Sequence, residues 1–162
     1  MPRPALFLDR DGTLIVDVGY PRDPEQVVLV EGAADALREL QQRYSLVVVS
    51  NQSGIGRGMI DEREAAAVHA RFVAEFERRG IRFSGCYYCP HLPGAGCACR
   101  KPAPGLLVEA AGELALDLAR SIMIGDKDSD LEAGRAAGCA HVVRVGAAAD
   151  WTAVRALIAS LG

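Results

Sequence analysis

Three short stretches of this chain concentrate groups that can handle phosphate. Asp9-Arg-Asp11-Gly-Thr13 places two carboxylates two residues apart. Ser50-Asn51-Gln52-Ser53-Gly54 offers hydroxyls and amides, and Gly125-Asp126-Lys127-Asp128, with Asp130 close behind, adds carboxylates and a cation. Several carboxylates around one point repel each other unless a cation neutralises them, and an oxygen-only set suits Mg²⁺. Asp9 beside such a cation can attack phosphorus and form an aspartyl-phosphate. A turn after Asp9, which Gly12 permits, would bring Asp11 to the same substrate atom. There it can protonate the leaving alcohol and later deprotonate the attacking water. Ser50 and a lysine would hold the equatorial phosphate oxygens, where positioning and charge stabilisation do most of the work. Taken singly, each piece has an ordinary explanation, since an aspartate at a strand end commonly forms a turn. Their coincidence at three strand ends favours the chemical reading.

A second constellation is built on sulfur. Cys89-Pro-His91 and Cys97-Ala-Cys99 give C-x-H-x5-C-x-C. Three thiolates and one imidazole complete a tetrahedral Zn²⁺ set with no open position, so such a site is structural. The alternative is a loop of reduced cysteines with His91 exposed. A zinc knot would stiffen a loop of small hydrophobic content that runs directly into Arg100-Lys101. Lys101 would then hold the phosphate, and Arg100, with its planar fork, suits a second anionic group. Cys86 and Cys139 read as packing residues, His69 as a surface or boundary residue, and His141 as a strand residue without a visible partner.

The elements that must position these groups alternate along the chain. Strands are expected at Leu6–Asp9, Ser45–Ser50, Phe83–Tyr88, Ser121–Gly125 and His141–Val145. Helices are expected at Gly32–Arg43, Asp61–Arg79, Pro104–Leu118, Asp128–Ala137 and Trp151–Leu161, with Asp61 as an N-cap and Gly80 as a stop. Alternating strands and helices imply a parallel sheet covered on both faces. In such sheets ligands bind beyond the carboxyl ends of the strands, where the three phosphate-handling stretches lie. One α/β phosphatase domain over 1–162 is expected, with a metal loop at about 86–104 and no insertion large enough for a cap domain.

Composition narrows the function classes. The net charge is −3, and no Lys/Arg block exceeds a dipeptide. A nucleic-acid surface needs a clustered basic face, so that class is disfavoured. The apolar run Ala5–Leu8 is too short for a signal-peptide core, and no run approaches the roughly 20 residues of a membrane span. Five cysteines, an odd number, suit a reducing cytoplasm. A cytoplasmic monomer acting on a small molecule is the expectation.

The segment Phe7-Leu-Asp-Arg-Asp-Gly-Thr-Leu14 resembles the DxDGT signature of the haloacid dehalogenase (HAD) superfamily of phosphohydrolases. Ser50, Lys101 and Gly125-Asp126 match its second, third and fourth motifs in order, and Asp11 marks the phosphatase branch. The resemblance implies Mg²⁺ held by the Asp9 side chain, the Asp11 backbone carbonyl and the Asp126 side chain. It also implies a three-layer Rossmann-like sheet. From Phe7 to Gly146 the chain is similar to the D-glycero-D-manno-heptose-1,7-bisphosphate 7-phosphatases, through FLDRDGTLIVDVGY, SNQSGIGRG, YYCPH, CACRKPAPG and GDKDSD. That resemblance implies hydrolysis of a sugar C7 phosphate. It assigns substrate contacts to Asp17, Gly19, Tyr20, Ser50, Asn51, Gln52, Ser53, Arg100, Lys101 and Lys127. Val18 departs from a position that is often polar in the family. The five-residue spacer between His91 and Cys97 looks like that of the sister histidinol-phosphate phosphatases. Asp17-Val-Gly-Tyr20 and Gly54-Ile-Gly-Arg57-Gly favour the heptose branch. A non-catalytic phosphate- or zinc-binding module is the alternative from another class.

Overall fold

The computed structural model describes residues 2–146 and 150–161. Five parallel strands, β1 (Ala5–Leu8), β2 (Ser45–Asn51), β3 (Gly85–Cys89), β4 (Ile122–Gly125) and β5 (His141–Arg144), form one sheet in the order β3-β2-β1-β4-β5. The central strand β1 is buried on both faces, and its alternation decides what each side packs against. Leu6 and Leu8 join one cluster with Leu46, Val48 and the helices α1 (Ala33–Leu40), α3 (Glu62–Glu77) and α6 (Trp151–Ser160). Ala5 and Phe7 join the other, with Val47, Val49 and the helices α4 (Gly105–Leu114) and α5 (Asp128–Ala137). A strand sandwiched in this way reads as a continuous apolar run, which is why Ala5–Leu8 carries no polar residue.

The expected elements are all present; α5 keeps its expected bounds, Asp128–Ala137, and the others have shifted ends. β1 covers Ala5–Leu8 rather than Leu6–Asp9; Asp9 still donates its N–H to the Ile124 carbonyl at 3.1 Å, which fixes it just beyond the strand. β3 starts later than expected, at Gly85, with Phe83 stacked on Phe72 at 5.2 Å between centroids, and ends later, at Cys89, which pairs with Asn51 of β2. Asp61 caps α3 in a reciprocal box with Glu64, and Gly80 follows at φ +80°. The helix expected to reach Leu118 stops at Leu114. Ala115 turns left-handed at φ +53°, and a separate 3₁₀ turn covers Leu118–Arg120. A short turn, α2 (Ser53–Gly56), follows β2. Among the described residues no helix is long and apolar enough to cross a membrane.

Two contacts anchor the loop after β1, where the paired aspartates lie. The Trp151 indole N–H, at the buried start of α6, donates to the Thr13 carbonyl at 2.8 Å. Gly12 sits at φ +85° with the Asp126 carboxylate packed where its Cβ would project, so a side chain is excluded both by conformation and by space.

Candidate active site

The carboxyl ends of β1, β2 and β4 meet at a cavity of about 580 Å³. Asp9 lies at its floor, buried, with Lys101 against it. The Lys101 ammonium donates to Asp9 Oδ1 at 2.9 Å, to Asp130 Oδ1 at 2.6 Å and to the Val49 carbonyl at 2.8 Å, so all three of its N–H groups are matched. Burial alone would lower the Lys101 pKa, but Asp9 and Asp130 outweigh it and raise it. This lysine is a fixed cation.

Asp9, Asp126 and Asp130 present one oxygen each within 4.8 Å of one another. Burial first, and then the negative charge of Asp9, push the Asp126 carboxyl up to about 6. Asp130 is also pushed up, by burial and then by Asp9, with Lys101 opposing. Three crowded carboxylates facing one ammonium leave an excess of negative charge. A hard divalent cation relieves that strain, and the all-oxygen donor set fits Mg²⁺. Thr13 Oγ1 donates to Asp126 Oδ1 at 3.3 Å and orients this carboxylate.

Asp11 turns its side chain away from this cluster. Arg10 Nε and Nη2 donate to its two oxygens at 3.3 and 3.2 Å, and Gln52 Nε2 donates to Oδ2 at 2.7 Å. The same Gln52 amide donates to Ser50 Oγ at 2.8 Å. Ser50 is 1 % exposed and sits at the β2 end, beside Asp9 and Asp11 on the cavity wall.

Every residue expected to touch phosphate or substrate lines the cavity: Asp9, Asp11, Ser50 and Lys101 on the reacting side, then Asp17, Gly19, Tyr20, Asn51, Gln52, Ser53, Arg100 and Lys127 around it. Several of their side chains are engaged within the protein. Asn51 clips the loop that carries Lys101, donating to the Lys101 carbonyl at 3.1 Å and accepting from its N–H at 2.9 Å. Asp17 accepts from the Gly19 N–H at 2.9 Å, shaping its own turn. Asp126 is not among the lining residues; it is half-buried beside Gly12 and Thr13. Sequence reasoning overlooked Arg57, which lines the cavity with its guanidinium 5.8 Å from the Tyr20 ring centre. It also overlooked the Lys101–Asp130 pairing and the burial of Arg10. For Arg57 the signal was present in the Gly54–Gly58 run; nothing in the pattern marked Arg10.

The sulfur constellation also assembles. Cys89, His91, Cys97 and Cys99 present ligand atoms within 4.8 Å of one another, and His91 faces the cysteines through Nδ1, 3.4 Å from Cys89 Sγ and 3.2 Å from Cys99 Sγ. Desolvation pushes the Cys97 thiol up, but the Arg100 backbone N–H and hydrogen bonds from Cys99, Cys89 and His91 outweigh it and hold it at about 6. Cys89 is pushed up to about 12, chiefly by burial. Four soft donors and no fifth make a closed set that fits Zn²⁺. Cys86 and Cys139 stand apart in the two core clusters, each pushed up to about 12, with burial the largest cause. His69 is half-buried and bonds the Tyr88 hydroxyl at 2.7 Å, and His141 is exposed at the start of β5.

This fold and site define a phosphomonoester hydrolase of the HAD class. The HAD-hydrolase-like family model matches residues 98–152. The D-glycero-beta-D-manno-heptose-1,7-bisphosphate 7-phosphatase of Yersinia pestis is 42% identical, covering 91% of this chain and 88% of its own. The enzyme of the same name from Escherichia coli K12 is 41% identical over 91% of this chain and 87% of its own. The crystal structure of the D,D-heptose 1,7-bisphosphate phosphatase of B. bronchiseptica, complexed with magnesium and phosphate, superposes with a TM-score of 0.87 at 28% identity. That match covers 98% of this chain and 99% of the other. The chain belongs to the D-glycero-beta-D-manno-heptose-1,7-bisphosphate 7-phosphatase family of HAD-type hydrolases.

Proposed function

We propose that this chain, as one phosphatase domain over residues 1–162, removes the C7 phosphate of D-glycero-D-manno-heptose 1,7-bisphosphate through an aspartyl-phosphate on Asp9. The observation that carries the reading is the buried Asp9–Lys101–Asp130 cluster beneath a cavity that also presents Arg57, Arg100 and Lys127. Lys101 and Ser50 hold the transferred phosphoryl group against Asp9. A carboxylate oxygen of Asp9 attacks phosphorus as the bond to the sugar oxygen breaks, and Asp11 gives that oxygen its proton. Asp11 then takes a proton from water, whose oxygen displaces Asp9 from phosphorus. Mg²⁺ would be held by the side chains of Asp9 and Asp126 and the carbonyl of Asp11. When bound, it neutralises the carboxylates and draws charge from the phosphoryl oxygens. The cavity walls at Asp17, Gly19, Tyr20, Asn51, Gln52, Ser53 and Lys127 surround the sugar. Relatives of 41–42% identity named for the heptose bisphosphate support this substrate over histidinol phosphate. A cytoplasmic monomer without a nucleic-acid partner completes the reading; the net charge of −3 speaks against a nucleic-acid surface, and five cysteines outside any disulfide suit a reducing compartment.

Arg100 meets the second phosphate. One of its N–H groups donates to the His91 carbonyl at 3.4 Å, tying it to the sulfur loop. A charge-assisted hydrogen bond to phosphate is worth roughly 1.5–3 kcal/mol, so Arg100→Ala should lower kcat/KM for the bisphosphate about 10–150-fold. With p-nitrophenyl phosphate, which leaves the second position empty, the loss should be much smaller. Equal losses on the two substrates would remove the support for a bisphosphate.

Cys89, His91, Cys97 and Cys99 would hold Zn²⁺, which when bound would stiffen the loop that leads into Arg100 and Lys101. Elemental analysis should find about one zinc per chain, retained through dialysis that strips Mg²⁺. Cys99→Ser should lose the zinc, lower Tm and raise KM together with a fall in kcat. Protein purified without chelators that contains no zinc would contradict this assignment.

A further inference from the structure

We propose that Arg10 is the positioning residue of the proton-transfer step, aiming the Asp11 carboxylate; the inference rests on the role just given to Asp11. Arg10, between the two functional aspartates, is 3 % exposed. Its carbonyl accepts the Leu14 and Ile15 N–H groups at 2.8 and 3.1 Å, so the backbone turn itself is built on this residue. Its guanidinium lies 5.2 Å from the centre of the Tyr88 ring, and His69 of α3 holds the Tyr88 hydroxyl at 2.7 Å. Burying a guanidinium is costly unless it is paired, and here the pairing is with Asp11.

The clamp has a second arm. Gln52 Oε1 accepts from Arg10 Nη2 at 3.0 Å, while its Nε2 donates to Asp11 Oδ2 and Ser50 Oγ. Reversing the amide would set an NH₂ against the guanidinium and an oxygen against the carboxylate, so one orientation satisfies every partner. The Gln52 N–H, bonded to the Cys89 carbonyl at 2.7 Å, fixes the arm to the end of β3. Both oxygens of Asp11 are thereby held by groups that touch neither Asp9 nor Lys101. Arg10 and Gln52 set the direction of the carboxylate independently of the nucleophile. The Gln52 side chain thus links Asp11 to Ser50 on the cavity wall.

Loss of aim should slow the steps that move a proton and spare the step that does not. p-Nitrophenolate leaves phosphorus without needing a proton, whereas a sugar alkoxide needs one, and hydrolysis of the aspartyl-phosphate needs a base in either case. In stopped flow with p-nitrophenyl phosphate, Arg10→Met should release a first equivalent of p-nitrophenolate within about threefold of the wild-type rate. Turnover after that burst should fall about 10–100-fold, the scale of a misplaced catalytic group. With heptose 1,7-bisphosphate the first turnover itself should slow by a similar factor at little-changed KM, and Arg10→Lys should fall between Arg10→Met and wild type. A burst that slows in step with turnover would mean general damage to the site and would overturn the proposal, as would unchanged turnover on both substrates. If Arg10→Met does not fold, Arg10→Lys must show the same split at smaller amplitude. Wild-type protein that turns over p-nitrophenyl phosphate but not the heptose bisphosphate would defeat the substrate assignment and leave the test of Arg10 intact.

Discussion

Asp9→Asn should fold like the wild type and lose turnover on the order of 10⁴–10⁶-fold, the scale on which deletion of a covalent nucleophile acts. The amide cannot form an acyl phosphate, yet its oxygen can still accept a hydrogen bond from Lys101. Lys101 also keeps Asp130 and the Val49 carbonyl, so no buried cation is orphaned. Burial is the main cause that pushes Asp126 up, and removing the Asp9 charge relieves the repulsion that adds to it. The prediction is therefore an inactive protein with an unchanged or slightly higher Tm in the absence of metal. Thermal unfolding and single-turnover kinetics on one preparation check both halves. An inactive but partly unfolded variant would mean that Asp9 is structural.

Asp11→Asn should behave differently. General acid–base catalysis contributes about 10²–10⁴-fold, and turnover should fall by that factor. Stability should fall as well, because Arg10 loses the carboxylate that compensates its burial. Removing one partner of a buried pair costs about 3–5 kcal/mol, and the half-buried setting of Asp11 puts the expected loss at the lower end or below. The contrast between a stable, dead Asp9→Asn and a slowed, destabilised Asp11→Asn follows from which cation each carboxylate faces. Comparable stabilities for the two variants would undercut that contrast.

Much of this site was legible in the sequence because its residues sit at strand ends, and strand ends are the most readable feature of an alternating α/β pattern. Asp9, Ser50 and Asp126 follow three apolar runs, which by themselves place them at one edge of the sheet. The sulfur set was legible for a different reason: four ligands within eleven residues can close on one ion whatever the fold around them. What remained hidden depended on side-chain direction. Nothing in the sequence marks Arg10, whose guanidinium lies over the Tyr88 ring that His69 of α3 holds. Asp130 reaches Lys101 because α5 begins at Asp128 and carries it back over the end of β4; Gly125 leaves the room for it, since the Asp130 carboxylate packs where a Cβ would project. The early end of α4 was unreadable, because a left-handed alanine has no compositional mark.

The central claim is tested most directly by following the purified enzyme with Mg²⁺ on D-glycero-D-manno-heptose 1,7-bisphosphate by phosphorus NMR, with histidinol phosphate in a parallel tube. The C7 phosphate signal should be replaced by inorganic phosphate while the C1 phosphate persists, EDTA should stop the reaction, and histidinol phosphate should be turned over at least about tenfold less efficiently, the minimum expected when a charged contact goes unused. Release of the C1 phosphate first, or equal or faster turnover of histidinol phosphate, would contradict it.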